Sequence, residues 1–139
     1  MLKKIVVLGF LILIGCQKNI DAAALPYLTG YWEIKMVEFT DGSKKEYTVN
    51  PSVDYIELQG MKGYRKKVQP KFDGSFDTSD DAELFEIIKK DENFVMVYKN
   101  AWSSWEEKLI LLKPNTFVVK NEEGIKYSYK RYEPINIAP

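Results

Sequence analysis

Between Gly30 and Tyr132 the chain carries eight short runs rich in aromatic and β-branched residues, each closed off by residues that turn the backbone. The runs are Gly30 to Thr40, Val53 to Gln59, Gly63 to Val68, Glu83 to Lys89, Phe94 to Lys99, Trp105 to Leu112, Thr116 to Lys120 and Ile125 to Tyr132. Asp41-Gly42, Asn50-Pro51, Gly60, Asp73-Gly74, Asp91-Glu92-Asn93, Lys113-Pro114-Asn115 and Glu122-Glu123-Gly124 stand between them. Even Ala82 to Lys90, with Leu84, Phe85, Ile87 and Ile88, lacks an apolar stripe long enough for a stable helix and reads as a strand. Strands joined this tightly, with no crossover helices, pair antiparallel, and closing them on themselves removes both exposed edges. The expected fold is all-β: an eight-stranded antiparallel up-and-down barrel. A β-sandwich, with Trp32 simply one of its core residues, is the alternative.

Upstream of the strands, Lys3 and Lys4 precede an apolar run from Ile5 to Ile14 that ends in Leu13-Ile14-Gly15-Cys16. Ten apolar residues are too few to span a hydrocarbon core about 30 Å thick, and the polar residues after Cys16 supply no stop-transfer signal. Leu-Ile-Gly-Cys resembles the lipobox of bacterial lipoproteins, which implies cleavage before Cys16 and acylation of its thiol. Cys16 is the sole cysteine, so no disulfide competes for it. Multiple acyl chains on one residue give stable anchoring. The organisation expected is therefore a lipoprotein signal peptide at 1–15, a lipidated tether at 16–27 and one barrel domain at 28–139. The setting is the cell envelope, with the chain lipid-anchored to the outer membrane on a side left undetermined. Gln17-Lys18 also resembles the start of the surface-export signal of some Bacteroidetes lipoproteins, although only Asn-Ile-Asp follows where an acidic run is expected.

Of the 20 basic residues Lys3 and Lys4 fall in the signal, leaving 18 against 20 acidic ones. That balance gives no electrostatic footprint for nucleic acid and no basic face for a membrane surface.

Gly30-Tyr31-Trp32 matches the Gly-x-Trp that opens the first strand of lipocalins, and Arg131 near the end of the last run matches the basic residue those proteins carry there. With eight strands in order, the chain resembles the lipocalin-like (calycin type) lipoproteins of Bacteroidetes over Leu28 to Tyr132. The resemblance implies that the first and last strands pair, so that Trp32 and Arg131 meet and close the barrel floor through a cation–π contact.

Strand alternation then sorts the side chains. An inward Trp32 sends Ile34 and Met36 inward, and an inward Arg131 sends Tyr127 and Tyr129 inward. Ile56 and Leu58, Phe94, Met96 and Tyr98, and Trp105, Leu109 and Leu111 are assigned to the same face. These rows predict an apolar, tyrosine-rich interior suited to a small hydrophobic or amphipathic molecule. A barrel filled by its own side chains is the competing expectation. Connections at the Trp32 end are short and those at the other end long, which puts the mouth at the long-loop end with Phe72, Phe76, Trp102 and Trp105 at its rim.

Catalysis is poorly supplied. The chain has no histidine, Ser103-Ser104 has no adjacent base, and no zinc ligand set is present. The acidic stretch Asp73 to Asp81 lacks the EF-hand glycine and reads as a solvated loop. No enzyme activity, metal or cofactor is expected. The functional expectation is an anchored binding protein for a small apolar or amphipathic ligand; the alternative is a solid barrel that docks an envelope protein.

Overall fold

A computed structural model describes residues 19–134. The signal peptide, Cys16 with the start of its tether, and the last five residues lie outside the described residues. A 3-10 helix, Ala22–Leu28, leads into ten strands: β1 (Gly30–Glu38), β2 (Lys44–Glu46), β3 (Val53–Gln59), β4 (Lys62–Pro70), β5 (Phe76–Thr78), β6 (Glu83–Lys90), β7 (Asn93–Lys99), β8 (Ser104–Lys113), β9 (Thr116–Asn121) and β10 (Lys126–Arg131). The hydrogen-bonded order β10-β9-β8-β7-β6-β4-β3-β1 closes on itself through an antiparallel β1–β10 ladder. Eight long strands thus make a closed antiparallel up-and-down barrel.

The two short strands extend this frame. β2 pairs with Met36 to Glu38 on the edge of β1 that β3 occupies lower down, and β5 pairs with Val68 to Pro70 on the edge of β4 that β6 occupies lower down. Two staves of the barrel are therefore interrupted, one at 47–52 and the other at 79–82. Pro51 has no N–H to donate to a ladder, and the Asn50 side-chain amide instead donates to the Ile34 carbonyl at 3.0 Å. These interruptions leave openings in the upper wall.

At the Trp32 end the hairpins are tight. Gln59 pairs with Lys62, Lys90 with Asn93 and Lys113 with Thr116, so each connection is two residues long. Asp91 and Glu92 both have positive φ, as a type I′ turn requires.

Two β-bulges reset the alternation. Between Ile34 and Met36 the register against β10 slips by one residue, and the same happens between Leu109 and Leu111 against β9. Beyond each bulge every side chain changes face. Met36 consequently lies opposite Ser128 on the outer face, and Val37 takes the inner one opposite Tyr127. Leu111 likewise turns outward opposite Val118, and Leu112 joins the core opposite Phe117. The inward assignments of Met36 and Leu111 made from strict period-two alternation are corrected accordingly.

Candidate functional site

The lower half of the barrel is filled. Trp32, Ile56, Phe85, Ile87, Phe94, Met96, Leu109, Leu112, Phe117 and Val119 form one buried cluster, and Leu25 and Leu28 of the 3-10 helix plug it from below. Trp32 donates its indole N–H to the Leu28 carbonyl at 2.9 Å and meets Phe117 edge-on at 4.7 Å between centroids. Beneath it Arg131 places its guanidinium 3.7 Å from the indole centroid and donates to the carbonyls of Tyr27, Thr29 and Pro114. Gly30 makes this possible. Its φ is +134°, and a Cβ there would sit 2.3 Å from Arg131 Nη1. The glycine, tryptophan and arginine are thus one closure unit.

The upper half is a charged cup. Its cavity, about 540 Å³, is lined by residues that include Asp54, Arg65, Lys67, Glu83, Trp105, Glu107, Tyr127 and Tyr129. An adjoining recess of about 500 Å³ shares Asp54, Lys67, Tyr127 and Tyr129 and extends to Tyr47 and Asn50 at the first interrupted stave. Both openings follow from the gaps in the wall.

Arg65 anchors the boundary between cup and floor. Its Nη2 donates to Asp54 Oδ2 at 2.6 Å, its Nη1 to Tyr98 at 3.3 Å and to Glu107 at 3.5 Å, and its guanidinium lies 4.9 Å from the Tyr129 ring centroid. Asp54, only 6% exposed, also accepts from Lys67 at 3.0 Å. Every buried side-chain polar atom among the described residues has a partner. Trp105 stacks on Tyr98 with centroids 5.4 Å apart and planes within 4°.

The two buried carboxylates are driven in opposite directions. Burial pushes Asp54 upward, but Arg65 and Lys67 outweigh it and hold the carboxyl below the ordinary value of 3.8. Burial also pushes Glu107 above its ordinary 4.5, and there Arg65 and Tyr98 only partly offset it. Asp54 therefore contributes stability that is present above pH 3.8 and is lost as pH falls through its lower folded pKa. The raised pKa of Glu107 works the other way: its contribution is present below pH 4.5 and is lost as pH rises through the folded value. Stability should rise modestly on acidification from neutral pH, then fall below about pH 4. Denaturant midpoints across that range check it, with Asp54→Asn expected to flatten the acid limb and Glu107→Gln the upper one.

Of the side chains assigned to a ligand pocket by alternation, Ile56, Phe94, Met96, Tyr98 and Leu109 are buried in the packed cluster, with Ile34 and Leu58 against it. Ile34 also lines the adjoining recess, while the others support the cup from below. Tyr127, Tyr129 and Trp105 do face the cavity. Trp102 is 94% exposed on the β7–β8 loop, away from the cup lining. The expectation of an apolar, tyrosine-rich interior is corrected by Asp54, Arg65, Lys67, Glu83 and Glu107, which the register turns inward. Among the described residues, no group of three or more His, Cys, Asp or Glu is placed to hold a metal ion.

The strands and the cup together define a closed antiparallel β-barrel with a packed floor and a charged, open mouth. No family profile matches the chain, and no curated protein matches it. Among solved structures it is similar to a lipocalin-like protein from Bacteroides uniformis, at 13% identity and a TM-score of 0.48, over 76% of this chain and 99% of that one. It is also similar to a redesigned β-barrel, at 15% identity and a TM-score of 0.43, over 83% and 99% of the two chains. Neither likeness assigns a ligand, and the barrel rests on its own strand order and β1–β10 closure.

Proposed function

We propose that this chain is a lipocalin-like envelope lipoprotein, anchored through Cys16, whose barrel binds a small amphipathic molecule without catalysing a reaction on it. The observation that carries the reading is the open cavity above a packed floor, where aromatic faces from Trp105, Tyr127 and Tyr129 stand beside the Asp54–Arg65–Glu107 network. A ligand with an apolar body and a polar group fits such walls, because each part finds a partner and no buried charge is left bare. The signal-like N-terminus and the sole cysteine support the anchor.

Lys67 lines both recesses and its side chain is 75% exposed, so an indole at that position fills the cup without entering the core. A neutral naphthalene dye such as prodan should bind the wild type with a blue-shifted emission. Lys67→Trp should abolish that signal while the protein stays folded. Equal binding by both proteins would refute the cup as the site.

A second reading has its own observation. Phe72 and Trp102, at the mouth-end loops, are 95% and 94% exposed, as groups that dock an envelope partner would be.

A further inference from the structure

The cations of the cup are already committed. Arg65 is shared between Asp54 and Glu107, and Lys67 is paired with Asp54. Lys66 also lines the cavity, and its ammonium is held 5.9 Å from the Tyr64 ring centroid. On and just before the neighbouring strand β6 the balance is different. Asp81 and Glu83 line the cavity and form no ion pair among the described residues. The cavity lining thus holds three cations, Arg65, Lys66 and Lys67, against four carboxylates, Asp54, Asp81, Glu83 and Glu107.

The excess negative charge lies beside an aromatic face. Trp105 and Glu107 are two residues apart on β8 and point the same way, and Glu83 sits opposite Arg65 in the β4–β6 ladder. Tyr98 stacks against Trp105, and Trp105 also lines the cavity. An indole flanked by carboxylates attracts a cation through its quadrupole and the field of the acids together, and a substituted ammonium loses little hydration in entering such a site. An anionic head group at Trp105 would meet Glu83 and Asp81, which no cation pairs among the described residues.

Resting on the reading of the cup as a ligand site, we infer that its ligand class is an organic ammonium: the cationic head lies at Trp105 between Glu83 and Glu107, and the apolar body lies toward Tyr127 and Tyr129. Asp54, Arg65 and Lys67, ion-paired with one another, form the adjoining wall and hold the shape of the cup.

The test uses the full chain in detergent and three water-soluble probes of similar size: benzyltrimethylammonium, benzyl alcohol and phenylacetate. Calorimetric titration should show the ammonium binding roughly tenfold tighter than the alcohol, with phenylacetate weakest. Glu83 is exposed at the start of β6, so Glu83→Gln leaves the fold intact. It should weaken the ammonium about fivefold and leave the alcohol unchanged. Phenylacetate binding as tightly as the ammonium, or an unchanged ammonium affinity in Glu83→Gln, would overturn the charge preference while leaving the cup as a site. If none of the three binds, the cup as a ligand site falls and the inference falls with it.

Discussion

Trp32→Ala is expected to lower the unfolding free energy by about 3 to 5 kcal/mol, a large share of what a domain of this size possesses. Trp32 is fully buried at the base of the apolar cluster, where the indole touches Phe117, donates to Leu28 and roofs the Arg131 guanidinium. Truncation empties the floor and leaves the Leu28 carbonyl without its indole donor. Arg131→Ala removes the cation–π contact and the donors to Tyr27, Thr29 and Pro114, but its site is partly open to water, so about 1 to 3 kcal/mol is expected. Denaturant titration of the two variants should preserve that order. A near-neutral Trp32→Ala would mean that Gly30, Trp32 and Arg131 do not act as a closure unit.

Arg65→Met should cost about as much, roughly 3 to 5 kcal/mol, for a different reason. Its loss leaves Asp54 buried with only the largely exposed Lys67 as a partner, and removes the donors to Tyr98 and Glu107. The penalty belongs to the orphaned carboxylate more than to the missing attraction. Arg65→Met combined with Asp54→Leu should therefore recover much of the loss, since replacing both members of a buried pair by apolar groups is often neutral or stabilising. Equilibrium unfolding of the single and double variants measures this. A double variant less stable than Arg65→Met alone would show that the ion pair stabilises the barrel beyond its desolvation cost.

The parts of the fold legible in the sequence are those set by local chemistry. Turn residues at Gly60, Asp91-Glu92 and Pro114-Asn115 marked the floor hairpins, and Gly30, Trp32 and Arg131 marked the closure. β2 and β5 were missed because Lys44-Lys45-Glu46 and Phe76-Asp77-Thr78 are too short and polar to carry a strand pattern; they exist only because β1 and β4 offer free edges. The bulges at Lys35 and Ile110 were hidden for a related reason, since an extra residue is invisible to a period of two. One trace was nonetheless present: unbroken alternation from Trp32 would have turned Glu38 inward and Val37 outward.

The charged cup was partly legible. The parity that put Ile56 and Leu58 inside also puts Asp54 there, and the parity of Trp105 and Leu109 includes Glu107. Selecting the apolar members of each row passed over the acids. A buried acid needs a buried base, and that partner comes from β4: Arg65 is eleven residues from Asp54 in sequence, and only the β3–β4 register brings it alongside Ile56. The aromatic residues hid the division between floor and cup, because Tyr98, Tyr127 and Tyr129 suit a packed core and a wet wall alike.

Three tryptophans report on three regions of the barrel: Trp32 in the floor, Trp105 in the cup and Trp102 on the rim. Indole N–H resonances of the nitrogen-labelled protein, followed while benzyltrimethylammonium is added, show which of the three regions takes up the ligand. A saturable shift of the Trp105 signal is expected, with Trp32 and Trp102 unmoved. A saturable shift of Trp32 or Trp102 with Trp105 still, or no shift in any of the three with this ammonium, benzyl alcohol or phenylacetate, would contradict the assignment of the charged cup as the binding site.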